Sequence, residues 1–184
     1  MDLVKLSQAT KFYINTSFDL TISKSDFILI SGENGSGKTT LIHLVLGFIM
    51  PDQGTVTSKK LKIGYLPEKA MLPQFVKVSH YLETLARLKK GVIDYQLIHR
   101  FNLPFYKSIH ELSKGNFQKL ALISTFLGKP DLVILDEPLS GLDEESSAHL
   151  ITYMEEKRHE GMSFMVSTHQ PERFKKLASQ IVML

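Results

Sequence analysis

The 184-residue sequence contains no cysteine. That excludes disulfides, thiolate metal sites and a cysteine nucleophile, and it is compatible with a reducing compartment. Long hydrophobic runs are missing too. The longest, Leu41 to Met50, is interrupted by His43 and Gly47. It falls well short of the ~20 residues needed to span a bilayer. Asp2 and Lys5 break any apolar stretch at the start, so no signal peptide is expected there and the chain reads as soluble. A large excess of either charge is also lacking. The net charge is only +3, and lysines come as isolated pairs (Lys59-Lys60, Lys89-Lys90, Lys175-Lys176) instead of a stripe. A nucleic-acid partner is therefore not expected. The histidines at 43, 80, 99, 110, 149 and 159 include no pair at a ligand spacing such as H-x-x-x-H, and no repeat or low-complexity segment is visible.

What the sequence does have is enough apolar material for a core: 43% of residues are hydrophobic. Short apolar runs recur at Phe27–Ile30, Lys62–Leu66, Leu132–Leu135 and Phe164–Val166, each followed by glycine, proline, an acid or a hydroxyl residue. Near-continuous apolarity predicts strands buried on both faces, as in a parallel sheet covered by helices. Between them, Leu82, Leu85 and Leu88 follow helical spacing and read as core, as do Leu120, Ile123 and Leu127. About residues 68–111 there are helical patterns and no strand-like run. The expectation is one α/β domain over 1–184, with its core at 1–67 and 124–184 and an inserted helical subdomain at 68–123. The last residues, Ile181-Val182-Met183-Leu184, read as a further strand.

The stretch Ser31-Gly32-Glu33-Asn34-Gly35-Ser36-Gly37-Lys38-Thr39-Thr40 follows the first of these strands and precedes an apolar helical run. It fits G-x-x-x-x-G-K-[ST], the phosphate-binding loop. Glycines permit φ > 0 and let backbone N–H groups approach phosphate oxygens with no Cβ in the way. A helix starting near Lys38 turns its unpaired N–H groups and positive dipole end on the same phosphates. Lys38 is placed to reach the β and γ phosphates, and the Thr39 hydroxyl to ligate Mg²⁺.

A second signal stands far away in sequence. The strand Leu132–Leu135 ends in Asp136-Glu137-Pro138. A strand end delivers Asp136 beside the metal, and the next residue, Glu137, can face the γ-phosphate and polarise a water as general base.

Further motifs resemble one family. Leu112-Ser113-Lys114-Gly115-Asn116 is similar to the signature motif of ATP-binding-cassette (ABC) ATPases, Ser140-Gly141-Leu142-Asp143 to their D-loop, and Ser167-Thr168-His169 to their switch histidine. Tyr13 stands where the family stacks an aromatic ring on adenine. The resemblance holds in order from about residue 3 to 182. It implies a P-loop NTPase core with a mainly parallel sheet flanked by helices, N-terminal antiparallel strands and the inserted helical subdomain. It also implies that Asn34, Gly35, Ser36, Gly37, Lys38, Thr39 and Thr40 wrap the triphosphate of ATP, and that Thr39 and Asp136 hold Mg²⁺. Glu137 is then the base, and His169 contacts the γ-phosphate. Ser113 and Gly115 would close over the ATP of a second copy, so that two domains meet head to tail.

Three positions, in two motifs, depart from the family spelling. Lys114 and Asn116 replace glycine and glutamine in the signature. Glu68, in Ile63-Gly64-Tyr65-Leu66-Pro67-Glu68, stands where the family usually has a glutamine that touches Mg²⁺ and signals to the membrane partner, and its carboxylate is expected to ligate Mg²⁺ there with Thr39 and Asp136. The "YLPE" and "LSKG" spellings together resemble an exporter-type branch. The resemblance implies an ATPase subunit, cytoplasmic and peripheral on the inner face of the cell membrane, that works with a transmembrane permease on a separate chain and a second nucleotide-binding domain, most simply as a homodimer. The alternatives are a non-transport ABC ATPase and a nucleotide-binding regulatory module that does not hydrolyse. Steady Mg-ATP turnover separates motor from module.

Overall fold

The structure is a computed structural model and describes residues 2–184. Strands β1 (Asp2–Thr10), β2 (Phe18–Ser23) and β4 (Gln53–Ser58) form an antiparallel sheet in the order β2-β1-β4. Strands β3 (Phe27–Ser31), β5 (Ile63–Leu66), β6 (Leu132–Asp136), β7 (Ser163–Ser167) and β8 (Gln180–Met183) form a parallel sheet in the order β5-β6-β7-β3-β8. Every apolar run read as a strand is one. The second starts a residue later than expected, at Ile63, because Lys62 is exposed and gives its N–H to the Asp131 carboxylate at 2.8 Å.

Side chains alternate across the parallel sheet with period two and feed two cores. Phe27, Leu29, Val133, Leu135, Phe164 and Val166 face one, with helices α2 (Val78–Leu88), α4 (Lys114–Phe126) and α5 (Glu144–His159). Ile28, Ile30, Leu132, Ile134 and Met165 face the other, with α1 (Lys38–Leu46) and the antiparallel sheet. Continuous apolarity is therefore required by burial on both faces. Rings lock the first core: Phe27 lies 5.6 Å from Phe164 and 6.0 Å from Phe174, centroid to centroid. Each such phenyl contributes ~1.5–3 kcal/mol on burial.

The stretch expected to be an insertion, residues 68–123, holds α2, the short α3 (Tyr95–Arg100) and most of α4. Helix α4 runs across residues 123 and 124, where the sequence suggested the subdomain ends, and is buried without a break from Lys119 to Phe126. Gly64 lets it lie against β5, since a Cβ at that position would meet the Thr125 carbonyl oxygen at 2.3 Å. The stripe Leu82-Leu85-Leu88 is not a core stripe. Helix α2 buries Val78, Leu82 and Ala86, whereas Leu85 is half-buried and Leu88 is 75% exposed. Steps of three rotate a side chain about 60° backwards on a helix of 3.6 residues per turn, so two steps carry Leu88 off the face that Leu82 occupies. Leu120, Ile123 and Leu127 are buried as expected.

Candidate nucleotide site

Parallel strands deliver their C-terminal ends to one edge, and the chemistry collects there. Strand β3 runs into the glycine loop, which enters α1. Gly35 and Gly37 have φ of 82° and 107°, a region closed to most side chains. Gly37 caps α1 without a side-chain hydrogen bond, so the first-turn N–H groups remain available to an anion. The Lys38 ammonium donates to the carbonyls of Gly32 and Glu33, both at 2.8 Å, which pins it across the loop.

Strands β6 and β7 supply the acids. In register, Asp136 faces Ser167. The Ser167 hydroxyl donates to Asp136 Oδ1, and both residues are buried. Glu137 leaves the strand in a left-handed conformation, φ 50°, with its N–H given to Ser167 O at 3.0 Å. That turn aims its carboxylate at His169. Oε1 stands 3.4 Å from His169 Nε2, and Oε2 accepts the His169 backbone N–H at 3.4 Å. Burial pushes the Glu137 carboxyl above its ordinary value, a shift that the His169 N–H and ring oppose. The buried Oε1 makes no hydrogen bond.

A cleft of about 650 Å³ joins these groups. Of the residues singled out by sequence, Tyr13, Asn34, Gly35, Gly37, Lys38, Thr39, Thr40, Glu68, Asp136, Glu137 and His169 line it. Tyr13 projects from the β1–β2 loop, 67% exposed. The Lys11 ammonium sits 5.8 Å from its ring centroid and is ion-paired with Asp52. Three residues lie outside this lining. Ser36 is tucked under the loop, its hydroxyl buried, without a partner and close to Gly32. Ser113 and Gly115 sit at the start of α4, where the Ser113 hydroxyl caps the helix by accepting the Asn116 N–H at 3.3 Å.

The structure adds residues that the sequence reading had not counted as site residues. Ile14 and Ser140 line the cleft, and Ser167 orients Asp136. Lys119, buried on α4, reaches Asp143 Oδ2 at 3.4 Å and ties the D-loop to the signature helix. Only the strand register reveals Ser167; a cation inside an otherwise apolar helical run was the available signal for Lys119.

The donor set fits a magnesium nucleotide. A left-handed glycine cradle and a helix start without a side-chain cap call for an anionic ligand, and the unpartnered Glu137 oxygen calls for a proton donor such as water or for a cation. Among the described residues no group of three or more His, Asp or Glu side chains could hold a metal unaided. Mg²⁺ needs no such cage, because it takes one or two protein oxygens and completes its shell with phosphate and water.

A family model described as "ABC transporter" matches residues 16–140. The chain belongs to the ABC transporter family. It is 37% identical over 183 residues to an uncharacterised ABC transporter ATP-binding protein, YhaQ, of Bacillus subtilis, covering 90% of this chain and 61% of that protein. It is also 42% identical over 138 residues to the zinc import ATP-binding protein ZnuC of Rickettsia bellii, covering 72% of this chain and 58% of the relative. The chain thus spans about three-fifths of the length of these relatives. In fold it superimposes on the ATP-binding subunit of an ABC transporter with a TM-score of 0.86 at 23% identity, covering 99% of this chain and 85% of the other. It also matches an archaeal ribosome recycling factor solved with a ribosomal stalk protein, with a TM-score of 0.83 at 24% identity, over 100% of this chain and 37% of that one. At these identities the two structures speak to the fold alone.

Proposed function

We propose that the chain is the ATP-hydrolysing motor of a membrane transporter, working on Mg-ATP as one half of a two-domain ATPase. The observation that carries this is the convergence of Asp136, Glu137 and His169 from two strand ends on the glycine loop. Backbone N–H groups of residues 34–40 and the Lys38 ammonium hold the phosphates, and Tyr13 offers a ring face to the base. Mg²⁺, held by Thr39 and Asp136 with Glu68 beside them, would neutralise the β and γ phosphate charge. Glu137 takes the proton of a water as the water oxygen attacks the γ-phosphorus, the bond to the β-γ bridging oxygen breaks, and ADP leaves. A carboxyl raised by burial is a better base for that task near neutral pH than an ordinary one. His169, within 3.4 Å of Glu137, orients the water and the γ-phosphate.

Ser113 and Gly115 lie outside the chain's own cleft, which supports a head-to-tail homodimer in which each copy closes over the other's ATP. The partner permease is a separate chain, and the motor works on the cytoplasmic face of the membrane. Among the described residues no helix is long and apolar enough to cross a membrane. Met71 and Phe75, 93% and 89% exposed, lie in the inserted segment and supply an apolar surface for that permease. The division into a core (1–67 and 124–184) and a subdomain (68–123) belongs to the same proposal, with α4 as the connecting rod. Cargo and direction belong to the permease. Phosphate release from Mg-ATP tests the motor: wild type should turn over, and Glu137→Gln should be slower by ~10²-fold or more while still binding ATP. Equal rates would show that the water is activated by another group.

A further inference from the structure

Tyr13 stands on a loop whose anchors lie outside the nucleotide cleft. That loop, residues 11–17, joins β1 to β2, and beside it residues 47–52 join α1 to β4. Asp52, the last residue before β4, ties the two segments together. Its backbone N–H goes to Thr10 O at 2.8 Å, and both oxygens of its carboxylate reach the Tyr13 loop. Oδ1 accepts the Lys11 ammonium, and Oδ2 accepts the Phe12 N–H at 2.8 Å. The Lys11 ammonium donates in addition to Met50 O at 3.2 Å, so both side chains bridge the two segments.

The loop is also closed on itself. The Thr10 hydroxyl donates to Thr16 O at 3.1 Å, and the Ile14 N–H to Lys11 O at 3.0 Å. Tyr13 therefore projects from a braced turn, although the residue itself is largely exposed. The Lys11 ammonium lies over one face of its ring. The side chains of Lys11 and Asp52 are only 16% and 23% exposed, and neither residue lines the cleft. What they contribute to a bound nucleotide must pass through the loop.

An exposed ring that is fixed only when a base stacks on it loses its freedom at the moment of binding, at a cost in affinity. Braces that fix the loop beforehand remove that cost. We infer that Asp52 and Lys11 are positioning residues for the nucleotide base, holding the 11–17 loop so that Tyr13 is presented to it. The inference rests on the base-stacking role proposed for Tyr13. It involves neither the metal nor the hydrolytic step.

Mg-ADP, which has no γ-phosphate to lose, is the probe, titrated into the chain by calorimetry. Asp52→Ala is the first variant. Lys11→Met, which keeps the aliphatic stem without the ammonium, is the second, and circular dichroism checks the fold of each. Each should weaken Mg-ADP by ~3–10-fold, the scale set by ordering one side chain. Tyr13→Ala should weaken it at least as much. In the Tyr13→Ala background, Asp52→Ala and Lys11→Met should each change the affinity by less than ~2-fold, because a residue acting through the ring then has nothing to act on. The inference alone is overturned if Tyr13→Ala weakens binding while either folded variant binds as the wild type. Equal losses in both backgrounds overturn it too, since they mark a general effect on the fold or its field. If Tyr13→Ala binds as the wild type, the base-stacking role falls and the inference falls with it.

Discussion

Lys38 donates to the carbonyls of Gly32 and Glu33, the loop's own backbone. In the proposed mechanism it exchanges those neutral acceptors for phosphate oxygens when nucleotide binds, and charge-assisted bonds are the stronger kind. Lys38→Ala removes ~1.5–3 kcal/mol of that interaction, so ATP affinity measured by calorimetry should fall at least ~10-fold. Unchanged affinity in a folded variant would detach the loop from phosphate binding. Glu68 lines the same cleft with a negative charge where an amide is the commoner choice. Its carboxylate repels the triphosphate in the absence of metal, and Mg²⁺, which prefers hard oxygen donors, offsets that repulsion. Glu68→Gln should therefore bind metal-free ATP ~3–10-fold more tightly and Mg-ATP with little change. Titrations in EDTA and in Mg²⁺ compare the two ratios. An identical metal dependence would mean that Glu68 serves another surface.

At the next scale, α5 depends on one cap. Hydrogen bonding from the Ser146 hydroxyl, then from the Ser146 N–H that Asp143 Oδ1 accepts at 2.7 Å, holds the Asp143 carboxyl down at about 2, with the Lys119 charge adding to both. A lowered pKa means that the folded state favours the carboxylate. The resulting stability is fully present above the unfolded value of 3.8 and is lost as pH falls toward about 2. Asp143→Ala removes a helix cap and should lower the melting temperature at pH 6 by ~2–4 °C, with the gap narrowing at pH 2–3. Asp143→Asn keeps a capping oxygen and should lose less at pH 6. A gap for Ala that stays constant with pH would show that the carboxylate charge contributes nothing. How much could be read beforehand differed by element. The parallel strands were legible because two-sided burial demands unbroken apolar runs. The antiparallel strands were expected only through resemblance to a family. Strand β2 alternates cleanly, burying Phe18, Leu20 and Ile22, but β4 is exposed almost throughout and carries no hydrophobic pattern. It exists because β1 offers it a backbone edge. The stripe on α2 misled because spacing gives periodicity, whereas the neighbour α4 decides which face is covered.

Across the whole molecule, the loop and the acids arrive from opposite parts of the chain, and only the parallel sheet joins them. The phosphate loop and the Asp136-Glu137 pair were legible from their spelling. The contact between Glu137 and His169 was not, because it rests on the left-handed turn at Glu137 and on the β6–β7 register. Ser113 and Gly115 remain outside the cleft they resemble parts of, and a second copy is the group that would use them. Glu137→Gln preserves shape and hydrogen bonding but removes the proposed base, so ATP should persist and hold two copies together. Sedimentation of this variant with and without Mg-ATP tests the account most directly. The predicted result is a monomer that becomes a dimer carrying two ATP when nucleotide is added. A variant that binds ATP with normal affinity and stays monomeric at every protein concentration would contradict it.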